Sequence, residues 1–360
     1  MIRTFLEKIY LWKFFLLLIY TLSIWKIMRY FFKERVLILY YHNLCIERKP
    51  RTCILNPVIN PSVFAKQMKH LKKHYNVISI DECVEALQEK RRLDSYSVVI
   101  AFDDGYVSQY QYAFPILKKM RINAIFFINA SFVGTNNLFW WEELEYMLMH
   151  CRKDNITIQM DRQEMVFELK SYTLKKQACQ MAATIFKKID SNHGSKLLSL
   201  FREATEIKVS DVKTYVENYR CLNQEMIKEM LNTGMRIGSH TVSHVILANE
   251  TYETQKEEIE NSIKYLDTSK PLHFSYPNGD FGDFNSDTVQ ILKSCNFQTG
   301  LTAIPGFVNK GDDLYRLKRW VAESDFLEFV CDISGLHYFL AKIEGVIIRL
   351  RRLIKRLIYG

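Results

Sequence analysis

The sequence lacks an internal repeat and a low-complexity segment, which excludes solenoids, propellers and linker-dominated chains. None of its eight cysteines (Cys45, Cys53, Cys83, Cys151, Cys179, Cys221, Cys295, Cys331) stands in a C-x-x-C pair. Neither a zinc ribbon nor a disulfide framework is therefore indicated, and the expectation is reduced thiols in a cytoplasm-facing protein. A long uncharged run is missing too. The most apolar stretch, IYLWKFFLLLIYTLSIWKIMRYFF, is free of charge only from Phe14 to Trp25, whereas a membrane span needs about 20 residues. It also has no small-residue cleavage site of the kind a signal peptide requires. A basic groove for phosphates is absent as well, although the net charge is +9. Residues 1–37 carry seven Lys/Arg against two Glu, and residues 337–360 carry six against one. The middle of the chain, with 36 basic against 37 acidic residues, is nearly neutral, so nucleic acid is not an expected partner.

What is present at the two ends is charge mixed with apolar bulk. Lys13, Lys26 and Arg29, with Trp12 and Trp25, suit a helix over residues 1–35 lying at the headgroup level of a membrane. A tilted or re-entrant helix with snorkelling lysines is the alternative. Near the other end Ile343, Val346, Ile347, Leu350, Ile354, Leu357 and Ile358 fall at helical spacing. Lys342, Arg349, Arg352, Lys355 and Arg356 lie largely on the opposite side. That pattern predicts a basic amphipathic helix over 336–360 that meets anionic lipid, or else a helix capping the fold with a solvated basic face. Both ends are expected to be removable without unfolding the body.

Between the ends, short apolar blocks alternate with amphipathic segments. RVLILYYHNL reads as a strand, NPSVFAKQMKHLKKHYNVISIDE as a helix begun at Asn60-Pro61 and followed by a strand, and VVIAF as a strand. NAIFFINA, MRIGSH, LHFSYP and FQTGLTA supply further strands, and NQEMIKEMLNTG a helix ending on Gly234. Strand-helix alternation argues for a parallel sheet or barrel. Residues 140–222 interrupt the rhythm; they read as mostly helical and polar, without a strong strand, and so as an insertion within a domain over 36–335. The polar residues of interest fall at the carboxyl ends of strands, where barrels and open sheets bind ligands.

One of those strands, VVIAF, runs directly into Asp103, Asp104 and Gly105. Two adjacent carboxylates at the end of a buried strand repel one another unless a cation is nearby. IGSHTVSH places His240 and His244 four residues apart at another strand end. Two imidazoles and one carboxylate form a three-ligand site for Zn²⁺ or a similar divalent ion, with open positions left over. Such an ion would offset the repulsion.

AFDDGY, GSHTVSH and FSYPNGDF, in that order, resemble the successive motifs of the NodB-homology polysaccharide deacetylases, carbohydrate esterase family 4. The resemblance covers roughly residues 36–325. LILYYHNL and LFWWEEL further resemble a membrane-associated branch found among bacterial surface-polysaccharide proteins. The resemblance implies an α/β fold, a distorted (β/α) barrel of about seven strands, and metal-dependent removal of N- or O-acetyl groups from sugars. It implies that Asp103 is the general base and that Asp104, His240 and His244 are the metal ligands, with Zn²⁺ expected and Co²⁺ or another divalent ion as alternatives. A backbone N–H near Tyr276 would hold the oxyanion, in a loop shaped by Pro277 and Gly279.

Three positions depart from the family pattern. Ser275 stands where many members carry an arginine beside the base. Arg319, in YRLKRW, resembles the family's later arginine and would then orient Asp103, with Arg316 the less favoured choice. A general-acid histidine is not evident: His337 lies beside the C-terminal tail, and His42 is the better site-facing imidazole. The expected substrate is an acetylated saccharide or lipid-linked glycan, at the cytoplasmic face of a bacterial inner membrane. The competing reading is a catalytically silent glycan-binding protein on the same fold.

Overall fold

The structure, a computed structural model, describes residues 11–46, 54–56, 58–89, 91 and 94–340. Apolar β-rich segments form an all-parallel sheet: β1 (Leu37–Tyr41), β4 (Asn76–Val77), β5 (Ser97–Phe102), β6 (Ile125–Ile128), β9 (Arg236–Ser239), β10 (Leu272–Ser275), β11 (Phe297–Leu301) and β12 (Trp320–Val321). Two further short strands, β2 (Asn43–Leu44) and β3 (Val58–Ile59), pair with each other, and β7 (Asn155–Met160) pairs with β8 (Gln163–Glu168). The main sheet runs β11-β10-β9-β6-β5-β1-β12, with β4 also on β5. Every residue of β1, β5 and β6 is buried, as expected for strands covered on both faces.

The sheet curls. At one edge Leu317 bridges Leu301 of β11, and three residues later Trp320 and Val321 pair with β1 at the other edge. One short segment therefore spans the gap between the two edges, and Arg319 lies inside it, 1% exposed. Helices cover the outside: α3 (Pro61–His74), capped by the Asn60 side chain with Pro61 in its first turn, α4 (Ile80–Gln88), α5 (Phe114–Met120), α10 (Gln224–Asn232), α11 (Tyr252–Glu260), α12 (Ser286–Ser294) and α13 (Phe326–Ile333). Gly234 follows α10 at φ +89°, a conformation that a side chain would strain.

The N-terminal region differs from a single headgroup-level helix. It is two helices, α1 (Trp12–Thr21) and α2 (Ile24–Tyr30), broken at Ser23, which has φ 58°. Trp12, Leu16, Ile19, Trp25 and Phe32 are buried in the main core. The Trp12 indole donates to Glu328 of α13 at 2.5 Å, and Arg29 lies 3.9 Å from the Tyr96 ring. These residues belong to the domain's packing and are not a detachable extension. No described helix is long and apolar enough to cross a membrane. Residues 336–340 begin a helix, and the remainder of the basic C-terminal helix expected over 336–360 lies outside the described residues.

The insertion also differs from expectation. Besides α6 (Trp140–His150), α7 (Tyr172–Phe186), α8 (Ser191–Thr205) and α9 (Lys213–Tyr219) it contains the antiparallel β7–β8 hairpin. It has its own apolar core, in which Leu144, Met147, Ile156, Ile158, Phe167, Cys179, Leu197 and Phe201 are buried. Strand β7 alternates exposed and buried residues along NITIQM, the period-two pattern of a half-buried strand.

Candidate active site

The carboxyl ends of the central strands deliver the titratable groups to one place. The end of β5 is followed by Asp103 and Asp104, and β9 by His240, with His244 a turn beyond. Asp104 has φ 72°, Thr241 φ 67°, His244 φ 62° and Asn278 φ 61°, so four non-glycine residues adopt left-handed backbone around the site. Such strain persists only where surrounding packing enforces it. Gly105 also has positive φ, and a Cβ there would come within 2.9 Å of Ile128.

Asp104 Oδ1 lies 3.5 Å from His240 Nε2 and 3.4 Å from His244 Nε2. The three ligand atoms are all within 4.8 Å of one another, and Asp104 and His240 are each 2% exposed. His240 Nδ1 contacts the Ser275 carbonyl at 2.6 Å. A carbonyl only accepts, so Nδ1 carries the proton and Nε2 turns its lone pair toward Asp104. Burial holds the His244 pKa below the usual histidine value. Burial would raise Asp104, but the imidazoles of His240 and His244 set against it, helped by His42, hold its carboxyl well below the carboxylate range. A buried carboxylate faced by two imidazole nitrogens is a donor set that fits a divalent ion with N/O preference such as Zn²⁺.

Asp103 is held differently. The Arg319 guanidinium meets it as a fork, Nη1 to Oδ1 at 2.9 Å and Nη2 to Oδ2 at 2.8 Å, while Arg319 Nε donates to the Thr302 carbonyl at 2.7 Å. Ser275 Oγ adds a bond to Asp103 Oδ2 at 3.3 Å. Burial pushes the Asp103 pKa up, but the charge and hydrogen bonds of Arg319, helped by His240, bring it below the ordinary carboxylate value. The carboxylate is therefore ionised and fixed in orientation.

These groups face a cavity of about 320 Å³ lined by His42, Asp103, Asp104, His240, His244, Tyr276 and Arg319, among others. The His42 imidazole packs against Tyr40 with 5.3 Å between ring centroids, and its buried Nδ1 has no hydrogen-bond partner. Tyr276 lines the cavity, but its backbone N–H donates to the Leu301 carbonyl at 3.0 Å. It is therefore not available to an oxyanion, which corrects the simplest form of that expectation. Pro277 and Gly279 stay out of the lining and shape the loop behind it. Gly279 N–H donates to the Pro277 carbonyl, and a Cβ on Gly279 would meet the Ala303 nitrogen at 2.8 Å. Arg316 sits outside, with Nε 3.8 Å from Asp313. His337 is likewise absent from the lining; it bonds Asp332 and stacks on Trp12.

The opposite wall has no signal in the sequence pattern. Trp140, Trp141, Ala183 and Lys187 of the insertion line the cavity, with Leu55 and Asn56 from the loop before β3. Trp140 stacks on Phe186 at 4.5 Å, and the Trp141 ring meets His244 edge-on at 4.6 Å. LFWWEEL was a visible motif, but nothing in its spacing says that its helix folds over strand ends forty residues upstream.

Fold and site together define a curled parallel α/β domain with a candidate mononuclear metal centre beside an arginine-held carboxylate. Compared with known families, residues 90–300, more than half of the chain, match the polysaccharide deacetylase family. The chain belongs to that family. It is 22% identical over 260 residues to YxkH of Bacillus subtilis (strain 168), a protein named for polysaccharide deacetylation; the match covers 71% of this chain and 62% of that protein. Among solved structures it is similar to the deacetylase PplD of Streptococcus pyogenes, solved in complex with acetate. That match has TM-score 0.55 at 19% identity, over 84% of this chain and 99% of that one. IcaB from Ammonifex degensii gives TM-score 0.54 at 20% identity, over 84% and 97%. These likenesses establish the NodB-like fold.

Proposed function

We propose that this protein is a metal-dependent deacetylase that removes acetyl groups, N-linked in our reading, from a sugar of a surface polysaccharide or lipid-linked glycan. The observation that carries this is the pairing of two differently held carboxylates in one cavity. Asp104 faces two imidazole nitrogens, and Asp103 beside it is forked by Arg319. Asp104, His240 and His244 would hold the ion, Zn²⁺ or another divalent cation such as Co²⁺. When bound, it supplies a Lewis acid that polarises a carbonyl and makes water more acidic.

The chain's own residues do the rest. Asp103, ionised and immobile, accepts the proton of the attacking water. Arg319 keeps its two oxygens in one plane throughout. The Asn278 N–H follows the proline of the loop, and its residue lines the cavity; this group replaces Tyr276 as the backbone candidate for the oxyanion. His42 is the cavity-lining imidazole outside the proposed ligand set, placed to give a proton to the leaving nitrogen. Trp140, stacked on one face by Phe186, offers an aromatic shelf for a sugar ring.

Our reading also puts the protein at a membrane surface, on the cytoplasmic face of a bacterial inner membrane. What supports this is the outer side of α1 and α2: Phe14, Leu17, Leu22, Ile27 and Phe31 are all exposed there. Residues 11–33 contain Lys13, Lys26, Arg29 and Lys33 and no acidic residue. An apolar face edged by cations suits anionic lipid. The described cysteines are all free, as in a reducing compartment. The test is acetate release from a panel of acetylated oligosaccharides and lipid-linked acetylated sugars. Turnover confined to the lipid-linked members would support both parts of the reading, and no release from any member by the metal-loaded protein would overturn it.

A further inference from the structure

The carboxylates used so far are not the only ones buried near the cavity. Glu142 of α6 is 4% exposed, and Tyr106, two residues past Asp104, is fully buried. They sit beside the buried apolar residues Phe139, Leu144, Met147 and Leu148. Burying a carboxyl group is unfavourable unless it is hydrogen-bonded, and an aliphatic residue would fill the space at lower cost.

The hydrogen bonds lead back to the metal ligands. Tyr106 Oη donates to Glu142 Oε1 at 2.7 Å and accepts from Trp141 Nε1 at 3.1 Å and Asn56 Nδ2 at 2.9 Å. Asn56 Nδ2 also reaches Asp104 Oδ2 at 3.4 Å. That is the carboxylate oxygen turned away from the imidazoles, which face Oδ1. The network therefore fixes the rotation of the Asp104 carboxylate from behind. On the next turn of the same helix, Glu145 accepts from the Ile54 N–H at 2.9 Å and the Leu55 N–H at 3.0 Å, holding the loop that carries Asn56. Trp141, bonded to both Tyr106 and Glu142, lays its ring against His244.

We infer that helix α6 of the insertion is the outer shell of the metal site, with Tyr106, Glu142 and Asn56 as positioning residues that set the ligand geometry and hence the affinity for the ion. This rests on the metal-site reading above. Outer-shell partners of this kind typically change metal affinity by about 10- to 100-fold when removed.

The experiment titrates Zn²⁺ into the full-length, chelator-stripped protein against a competing chelator, with thermal unfolding of the metal-free protein measured alongside. Tyr106→Phe and Glu142→Leu are expected to weaken Zn²⁺ binding by about 10- to 100-fold. Glu142→Gln, which retains an acceptor for Tyr106 and Trp141, should stay within a few-fold of wild type. Glu143→Gln breaks the outward pair with Arg202 and should leave affinity unchanged. The absorption spectrum of the Co²⁺ form should shift in Tyr106→Phe, a change that core destabilisation alone does not produce. If Glu142→Leu does not fold, Asn56→Ala in its loop replaces it, with the same loss expected. Wild-type Zn²⁺ affinity in folded Tyr106→Phe or Asn56→Ala overturns the inference. Absence of Zn²⁺ binding by the wild-type protein overturns instead the metal reading on which it rests.

Discussion

Replacing Arg319 with lysine isolates the geometry of the proposed base, Asp103, from its electrostatics. Lysine keeps the positive charge but cannot make the planar fork, and its single point of contact cannot serve both Asp103 oxygens and the Thr302 carbonyl. At least one charge-assisted hydrogen bond to Asp103 is lost, worth about 1.5–3 kcal/mol. If that bond serves the transition state, turnover falls by about 10- to 100-fold, since each 1.4 kcal/mol is roughly a factor of ten. The pH profile moves as well. Arg319 is what brings the Asp103 pKa below its ordinary value against the effect of burial. With the fork gone, the carboxylate protonates at higher pH, and the acid limb of kcat/KM shifts upward. Among the described residues Arg319 bonds Asp103 and the Thr302 carbonyl and none of the proposed ligands Asp104, His240 and His244, so metal content should be unchanged. Arg316→Lys, on the exposed partner of Asp313, should be silent. Rate and metal content of both variants, with a pH profile for the first, form the assay. Full activity and an unshifted profile in Arg319→Lys would refute the reasoning.

Asp104→Ala should lose bound metal and activity together, whereas Asp103→Asn should keep metal and lose about 100- to 10,000-fold in turnover; equal metal loss in the two would contradict the division of roles. Burial pushes the Glu142 carboxyl up to about 8, so the folded state favours its protonated form. Stability conferred by that proton is full below about pH 4.5 and is lost as pH rises toward 8; denaturation of Glu142→Gln across that window should show a flatter profile than wild type. Leu16 is 1% exposed within the core, so Leu16→Ala should cost about 2–5 kcal/mol in denaturant unfolding, where a detachable membrane helix would show no effect. Phe14→Glu with Leu17→Glu, on the exposed side of α1, should leave unfolding unchanged but reduce flotation with anionic vesicles, and undiminished flotation would remove α1 from the membrane contact.

Most of the parallel sheet was legible because strands such as VVIAF and NAIFFINA are apolar blocks followed by polar residues, and Asp103, Asp104, His240 and His244 lie at or just past strand ends. Arg319 was nameable only through family resemblance. Its place depends on the segment from Leu317 to Val321 spanning both sheet edges, a long-range arrangement that leaves no local pattern. The β7–β8 hairpin was legible in principle, since NITIQM alternates strictly and Asp161-Arg162 offers a turn, but the polar neighbours masked it. The burial of α1 and α2 was not. Apolar residues on both sides of a helix look alike whether they meet lipid or a protein core, and only the tertiary partner, here α13 and its Glu328, tells them apart. The cavity wall from the insertion was hidden for the same reason: Tyr106 and Glu142 are ordinary in sequence and become a unit only when α6 folds over the end of β5.

The central claim, hydrolysis of a sugar acetyl group at a site assembled by Asp104, His240 and His244 with Asp103 as base, is tested most directly by acetate release from acetylated substrate before chelation, after chelation and after Zn²⁺ is restored. Release should be lost on stripping the metal, regained on adding it back, and about 100- to 10,000-fold slower in metal-loaded Asp103→Asn. Release that persists in the fully stripped protein, or in Asp103→Asn at the wild-type rate, would contradict that claim.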